Sequence, residues 1–193
     1  GQSTQPKELP IASQFKFPNI KPMATQIDPS SKFYKQIVIR ERSISLASPQ
    51  HLEKGSNPKY SPFFLSKTPL KGLSCFQVDV VVAGNNSFLL GVAADYNRNH
   101  TETYHDKGTI YYHSAGNMSR WVCGISDNEI TYQASSGDRI EVQINVDSET
   151  VVWMRVVPKA EVIGMAKFRG KMRDMDLYPC LELGSNFNGI LKL

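Results

Sequence analysis

The chain has 193 residues, 40% of them hydrophobic and 21% charged, which suits one globular domain. A domain of this size buries roughly 70% of its unfolded surface, so it needs no disulfide or metal staple. The net charge of +4 permits acidic partners but is too small to call for nucleic acid.

Cys75, Cys123 and Cys180 are odd in number, form no C-x-x-C pair and each sit beside apolar residues. They read as buried free thiols in a reducing, cytoplasmic setting. No apolar run approaches the roughly 18 residues of a membrane span. The start Gly1-Gln2-Ser3-Thr4 lacks the basic-then-apolar pattern of a signal peptide. Three glycosylation sequons, at Asn85, Asn99 and Asn117, read as unmodified turn residues in that setting.

Residues 1–31 carry Pro6, Pro10, Pro18, Pro22 and Pro29. Proline fixes φ and removes a donor, so an extended arm is expected there, pinned by Phe15, Phe17 and Ile20, with the domain proper at 32–193. Ile37-Val38-Ile39 then leads through Arg40-Glu41-Arg42 to Ile44 and Leu46 in β texture. Phe76, Val78, Val80 and Val82 occupy every second position, which places one apolar row on one sheet face. Gly84-Asn85-Asn86 marks a turn, and Phe88 to Ala93 the next strand. Ile140, Val142, Ile144 and Val146 alternate with polar residues, Asp147-Ser148-Glu149 turns the chain, and Val151 to Val157 returns, so 139–157 reads as a hairpin. Strands are expected at 162–168, 177–183 and 187–193. No long window has a helical period. The fold class is all-β, a two-sheet antiparallel β-sandwich of the jelly-roll kind with its loops gathered at the ends.

Six short motifs occur in order over roughly residues 72–183. They are Gly72 to Val78, Leu90-Gly91-Val92-Ala93, Ile110 to Gly116, Ser136 to Val142 with Asn145-Val146-Asp147 after it, Gly164 to Phe168, and Leu177-Tyr178-Pro179-Cys180-Leu181. Together they resemble the SPRY domain family. One departure is the stretch Val157 to Glu161, where the family has an asparagine-glycine turn. Bottom-up reading agrees with the motifs. Gly137-Asp138 suits a turn that resets register, Gly91 and Gly164 suggest bulges or close strand approach, and Tyr178-Pro179 suits a strand start.

The resemblance implies a protein-interaction module without catalysis. Such a module recognises a peptide or folded partner through loops, often inside a larger scaffold or ubiquitin-ligase adaptor. By position along the motifs, the expected contact residues are Tyr96, Arg98 and Tyr104 in the loop after Val92, Pro49 and Tyr60 near the entry to the sandwich, and the loop Gly184-Ser185-Asn186-Phe187. Tyrosine and arginine pair large contact area with a polar handle, which suits hot spots.

Competing chemistry is weighed on the same residues. The loop Asp95 to Asp106 carries two His, two Asp and a Glu, but matches no zinc spacing and no EF-hand order. A lectin-like calcium site there, or a structural subunit laced by its arm to a neighbour, are the alternatives. Trp121 and Trp153 read as core. Lys167, Arg169, Lys171 and Arg173 read as a solvated turn, diluted by Asp174 and Asp176. There is no G-x-S-x-G, Walker A, G-x-G-x-x-G or H-E-x-x-H motif, so no catalytic residue, cofactor or metal is assigned, and oligomeric state is left open.

Overall fold

The structure is a computed structural model, and it describes residues 19–31, 37–46, 60–85, 87–95, 108–116, 132–168, 170–184 and 187–193. The strands are β1 (Ile37–Arg40), β2 (Ser43–Leu46), β3 (Tyr60–Phe64), β4 (Leu73–Val82), β5 (Phe88–Ala94), β6 (Thr109–His113), β7 (Arg139–Asn145), β8 (Thr150–Val157), β9 (Glu161–Lys167), β10 (Leu177–Gly184) and β11 (Ile190–Lys192). One short 3-10 helix spans Gly170–Asp174. A seven-stranded sheet has the order β1-β2-β11-β4-β7-β8-β9, and a four-stranded sheet the order β3-β10-β5-β6. Every strand pair in both is antiparallel. This is the sandwich that the period-two rows require.

The rows meet as expected. Phe76, Val78 and Val80 of β4 face Ile140, Val142 and Ile144 of β7, all at most 1% exposed, in one core with Leu90, Val92 and Leu181 from the other sheet. Val82 breaks the row and is exposed, because a register shift between Ile190 and Leu191 disturbs the pairing at the end of β4. Trp153 of β8 is fully buried and its Nε1 donates to the Leu90 carbonyl at 2.8 Å, so one side chain ties the two sheets together. That hydrogen bond satisfies the only polar atom the indole takes out of water.

The glycines behave as read. A Cβ on Gly91 would stand 2.0 Å from the Ile110 carbonyl oxygen, so only glycine lets β5 and β6 pair here. The β8–β9 register slips beside Gly164, where Trp153 faces Gly164 and Met154 faces Val162. Gly137, at φ +95°, sits in the turn before β7. Its N–H donates to Val80 O at 2.7 Å while Val80 N–H donates to Asp138 O at 2.7 Å. The hairpin β7–β8 falls within 139–157 as read, and the departure from the family pattern is the three-residue connection 158–160 between β8 and β9.

Two expectations need correction. Pro179 is not at a strand start. It is the third residue of β10, an interior strand. Its carbonyl accepts from Leu65 N–H at 2.9 Å, so its missing donor points toward the Leu65 carbonyl, and that carbonyl accepts instead from Gln26 N–H at 3.1 Å. The arm thus supplies the bond the proline lacks. Phe187 is the second correction. It is 3% exposed and packs edge-to-face on Phe88, centroids 6.0 Å apart, so it is core and not a contact residue.

Residues 19–31 contain no helix or strand, as the prolines require, yet they are integral to the sandwich. Met23 N–H donates to Cys75 O at 2.8 Å on the seven-stranded sheet, and Asp28 N–H to Phe64 O at 2.8 Å on the four-stranded one. Ile27 is 2% exposed within the core and is the pin among these residues. Phe15 and Phe17 lie outside the described residues.

Candidate functional site

The register of the four-stranded sheet sorts the expected contact residues into two groups. At one end Leu177 pairs with Ala94 and Ala93 with Thr109, and the connection 95–108 is anchored there. That connection holds Tyr96, Arg98 and Tyr104. At the other end Gly184 pairs with Tyr60, Leu183 with Phe88 and Leu89 with His113. There the connections 47–59, 114–132 and 185–189 are anchored, with Pro49 and Asn186 on two of them. The seven residues of β5 separate these anchor points by roughly 20 Å. Tyr96, Arg98, Tyr104, Pro49, Ser185 and Asn186 themselves lie outside the described residues. So do Trp121, Cys123 and nearly all of the acidic and histidine-bearing loop.

Each end is held by directed hydrogen bonds. At the first, Ala94 N–H donates to Gly108 O at 2.7 Å, and Gly108 has φ +90° in a buried turn. At the second, Ser114 Oγ accepts from Phe88 N–H at 2.9 Å and Ser114 O accepts from Ala134 N–H at 2.8 Å. Tyr112 OH donates to the Tyr132 carbonyl. Tyr132 OH donates to Asp138 Oδ2 at 2.8 Å, and Ser135 N–H donates to the same oxygen at 2.8 Å. Arg155 lies 5.1 Å over the Tyr132 ring, donates to its hydroxyl at 3.1 Å and pairs with Glu161 at 2.6 Å. Burial first, then Asp138, hold the Tyr132 hydroxyl above its ordinary range, with Arg155 opposing.

A third feature lies on the outer face of the seven-stranded sheet, where Arg139, Asp79 and Lys192 stand in one transverse row across β7, β4 and β11. Arg139 Nε donates to Asp79 Oδ1 at 2.6 Å. Arg42 is drawn beside the row because Leu193 N–H donates to its carbonyl at 3.0 Å, and Lys21 arrives on the arm. These side chains line an open groove of about 860 Å³ whose other wall is Pro22-Met23-Ala24-Thr25. The floor continues into Gln77, whose Nε2 donates to Glu141 Oε1 at 2.8 Å. Gln143 Nε2 donates to Glu141 Oε2, also at 2.8 Å.

Nucleophilic chemistry finds little here. Cys75 is 1% exposed, and burial followed by the Glu141 charge pushes its thiol up to about 11, so it stays protonated at neutral pH. Cys180 is fully buried and accepts from Tyr111 OH at 3.4 Å. Burial, then Cys180 and Glu182, hold that hydroxyl well above its ordinary range. Among the described residues no three His, Cys, Asp or Glu gather as metal ligands, and no helix is long and apolar enough to cross a membrane. In the basic stretch, Lys167 is exposed at the end of β9 and Arg173, in the 3-10 helix, pairs with Glu149 at 2.9 Å.

Sequence reading missed the groove. Its cations come from four distant segments, each ordinary alone, and only the register of β4, β7 and β11 gathers them. The mild positive charge of the whole chain was the one available signal.

Comparison with known proteins extends to fold alone. Neither a protein-family model nor a curated protein matches the sequence. Solved structures do. The chain is similar to the SPRY domain of human HERC1 at 12% identity and TM-score 0.55, over 86% of this chain and 96% of that one. It is similar to the TRIM65 PSpry domain at 15% identity and TM-score 0.55, over 89% and 90%. It also matches the stonustoxin structure at 13% identity and TM-score 0.58, over 89% of this chain and 27% of that one. The fold is therefore SPRY-like, an all-β sandwich, as the motifs implied.

Proposed function

We propose that the chain is a non-enzymatic protein-interaction module that recognises a peptide or folded partner through connections at the ends of its sandwich, as part of a larger scaffold or adaptor. The observation that carries this reading is the four-stranded sheet. Nearly all its described side chains are buried on both faces, and long connections at 47–59, 96–107 and 117–131 are tied to its ends. A rigid platform with long connections is the arrangement that loop-based recognition uses. The SPRY-like fold, shared with the SPRY domain of human HERC1 and the TRIM65 PSpry domain, supports it. Buried free thiols at Cys75 and Cys180 support a cytoplasmic setting.

The separation of the two ends makes the test sharp. Tyr96→Ala/Arg98→Ala/Tyr104→Ala alters one end, and Pro49→Ala/Asn186→Ala the other. The first variant is expected to keep the thermal midpoint within a few degrees and to abolish co-purification of the main partner from native cells. The second is expected to weaken that capture without abolishing it. Loss of folding in the triple variant, or capture by both variants at the wild-type level, would overturn the assignment.

A further inference from the structure

A groove on the outer face of the seven-stranded sheet is lined by charges from four segments. Among the described residues four cations, Lys21, Arg42, Arg139 and Lys192, face one carboxylate side chain, Asp79. Asp79 engages only Arg139. Lys21, Arg42 and Lys192 form no ion pair with any described residue, and all three are exposed. Arg139 to Lys192 spans two strand spacings, about 10 Å. The wall Pro22-Met23-Ala24 is largely apolar backbone-rich surface.

We propose that this groove docks an extended acidic segment of a protein partner, its carboxylates on Lys192, Arg42 and Lys21 and its backbone along residues 22–25. Three points select this occupant. Cations carried on four separate segments around one groove match charges spaced along a chain better than one compact dianion. The volume of about 860 Å³ is that of a groove holding several residues. Among the described residues no aromatic side chain lines it, so they offer no stacking platform of the kind a single-stranded nucleic acid uses. Exposed rim charges act chiefly on encounter and on salt dependence.

The test uses the full chain and a fluorescent eight-residue peptide alternating Glu and Ala, with a Lys/Ala peptide, inorganic phosphate and an unstructured oligothymidine as comparators. The acidic peptide is expected to bind at low salt, to weaken at high salt, and to bind roughly tenfold more weakly to Arg42→Glu/Lys192→Glu. Arg42→Gln/Lys192→Gln gives an intermediate loss and covers the case where charge reversal disturbs folding. The sandwich-end triple variant keeps the groove's affinity, so failure here and failure of the loop assignment are told apart. Equal binding of the Lys/Ala peptide, unchanged affinity in both groove variants, full competition by phosphate, or tighter binding of oligothymidine would each overturn the proposal.

Discussion

The outer faces of the two sheets are built on opposite principles. On the four-stranded sheet, Phe64, Leu89, Ala93 and Tyr111 form a second apolar layer with Tyr178 and Cys180, and Glu182 within it is wholly buried. Tyr178 packs edge-to-face on Phe64 at 5.8 Å. On the seven-stranded sheet the corresponding face is polar across β4 and β7. There Glu141 is clamped between the amides of Gln77 and Gln143, and the row ends in the half-exposed Asp79 and exposed Arg139. A sheet packed on both faces at interior density cannot adjust without strain, whereas a polar face can exchange partners. The four-stranded sheet is thus suited to hold its end connections in place, and the seven-stranded face to meet a ligand directly.

The largest expected effect breaks the rigid side. Gly91→Ala forces a methyl to 2.0 Å from the Ile110 carbonyl, against a backbone that is itself paired. We expect a loss of more than about 3 kcal/mol in urea unfolding, or failure to fold. Gly137→Ala on the other sheet meets nothing within 4 Å and suffers only from φ +95°. It should cost about 1–2 kcal/mol. Equal losses at the two sites would erase the contrast.

Glu141→Ala comes next. It leaves one half-buried and one buried amide without their acceptor and should cost about 1–3 kcal/mol. Gln77→Ala removes only one donor and should cost less, because Gln143 still donates to Oε2 of the carboxylate. Urea midpoints of the two variants rank the clamp.

These elements differ in how far the sequence announces them. β4 and β7 were legible because their apolar rows have period two, and β8 because it returns from the turn at Asp147-Ser148-Glu149. Gly91 and Gly164 were legible because glycine inside an apolar strand has a short menu of causes. β10 was located by its apolar run, but its burial on both faces hides which neighbour it pairs with, so Pro179 was taken for a strand start. Tyr60 was noticed only as an entry residue, and β3, which begins there and contains Pro62, shows no alternation. Phe187 was misread because a phenylalanine two residues before a glycine-bearing turn looks like a loop tip. Only the packing on Phe88 reveals it as core. The groove depended on register between β7, β4 and β11, which local pattern does not encode.

Cys75 links the arm to the polar face, since its Sγ donates to Ile20 O at 3.5 Å beside Glu141. Its thiol is raised from 9.0 to about 11 in the folded chain, so the native state holds this proton more tightly than the unfolded one. The resulting stability is complete below pH 9 and is lost as pH climbs toward 11. Cys75→Ser has no group titrating in that window. Its urea midpoint should fall less between pH 8 and pH 11 than the wild type's. Tyr111 and Tyr132 are also raised but are common to both proteins, so the difference isolates Cys75. Parallel declines would show that Cys75 is not the alkaline trigger on this face.

The smallest expected stability change sharpens the comparison most. Asp79 and Arg139 make a half-exposed pair, with side chains 35% and 45% exposed, and such pairs contribute roughly 0–1 kcal/mol. Asp79→Asn should therefore barely move the urea midpoint. It removes the only carboxylate side chain among the described residues of the groove lining and releases Arg139 from its partner, so the groove gains one positive charge. Affinity for the Glu/Ala peptide should rise, and its salt dependence should steepen, because one more cation now faces the ligand. A variant that loses stability while gaining no affinity would mean that Asp79 builds the face and does not tune it. A polar outer surface would then be as fixed as the apolar one opposite.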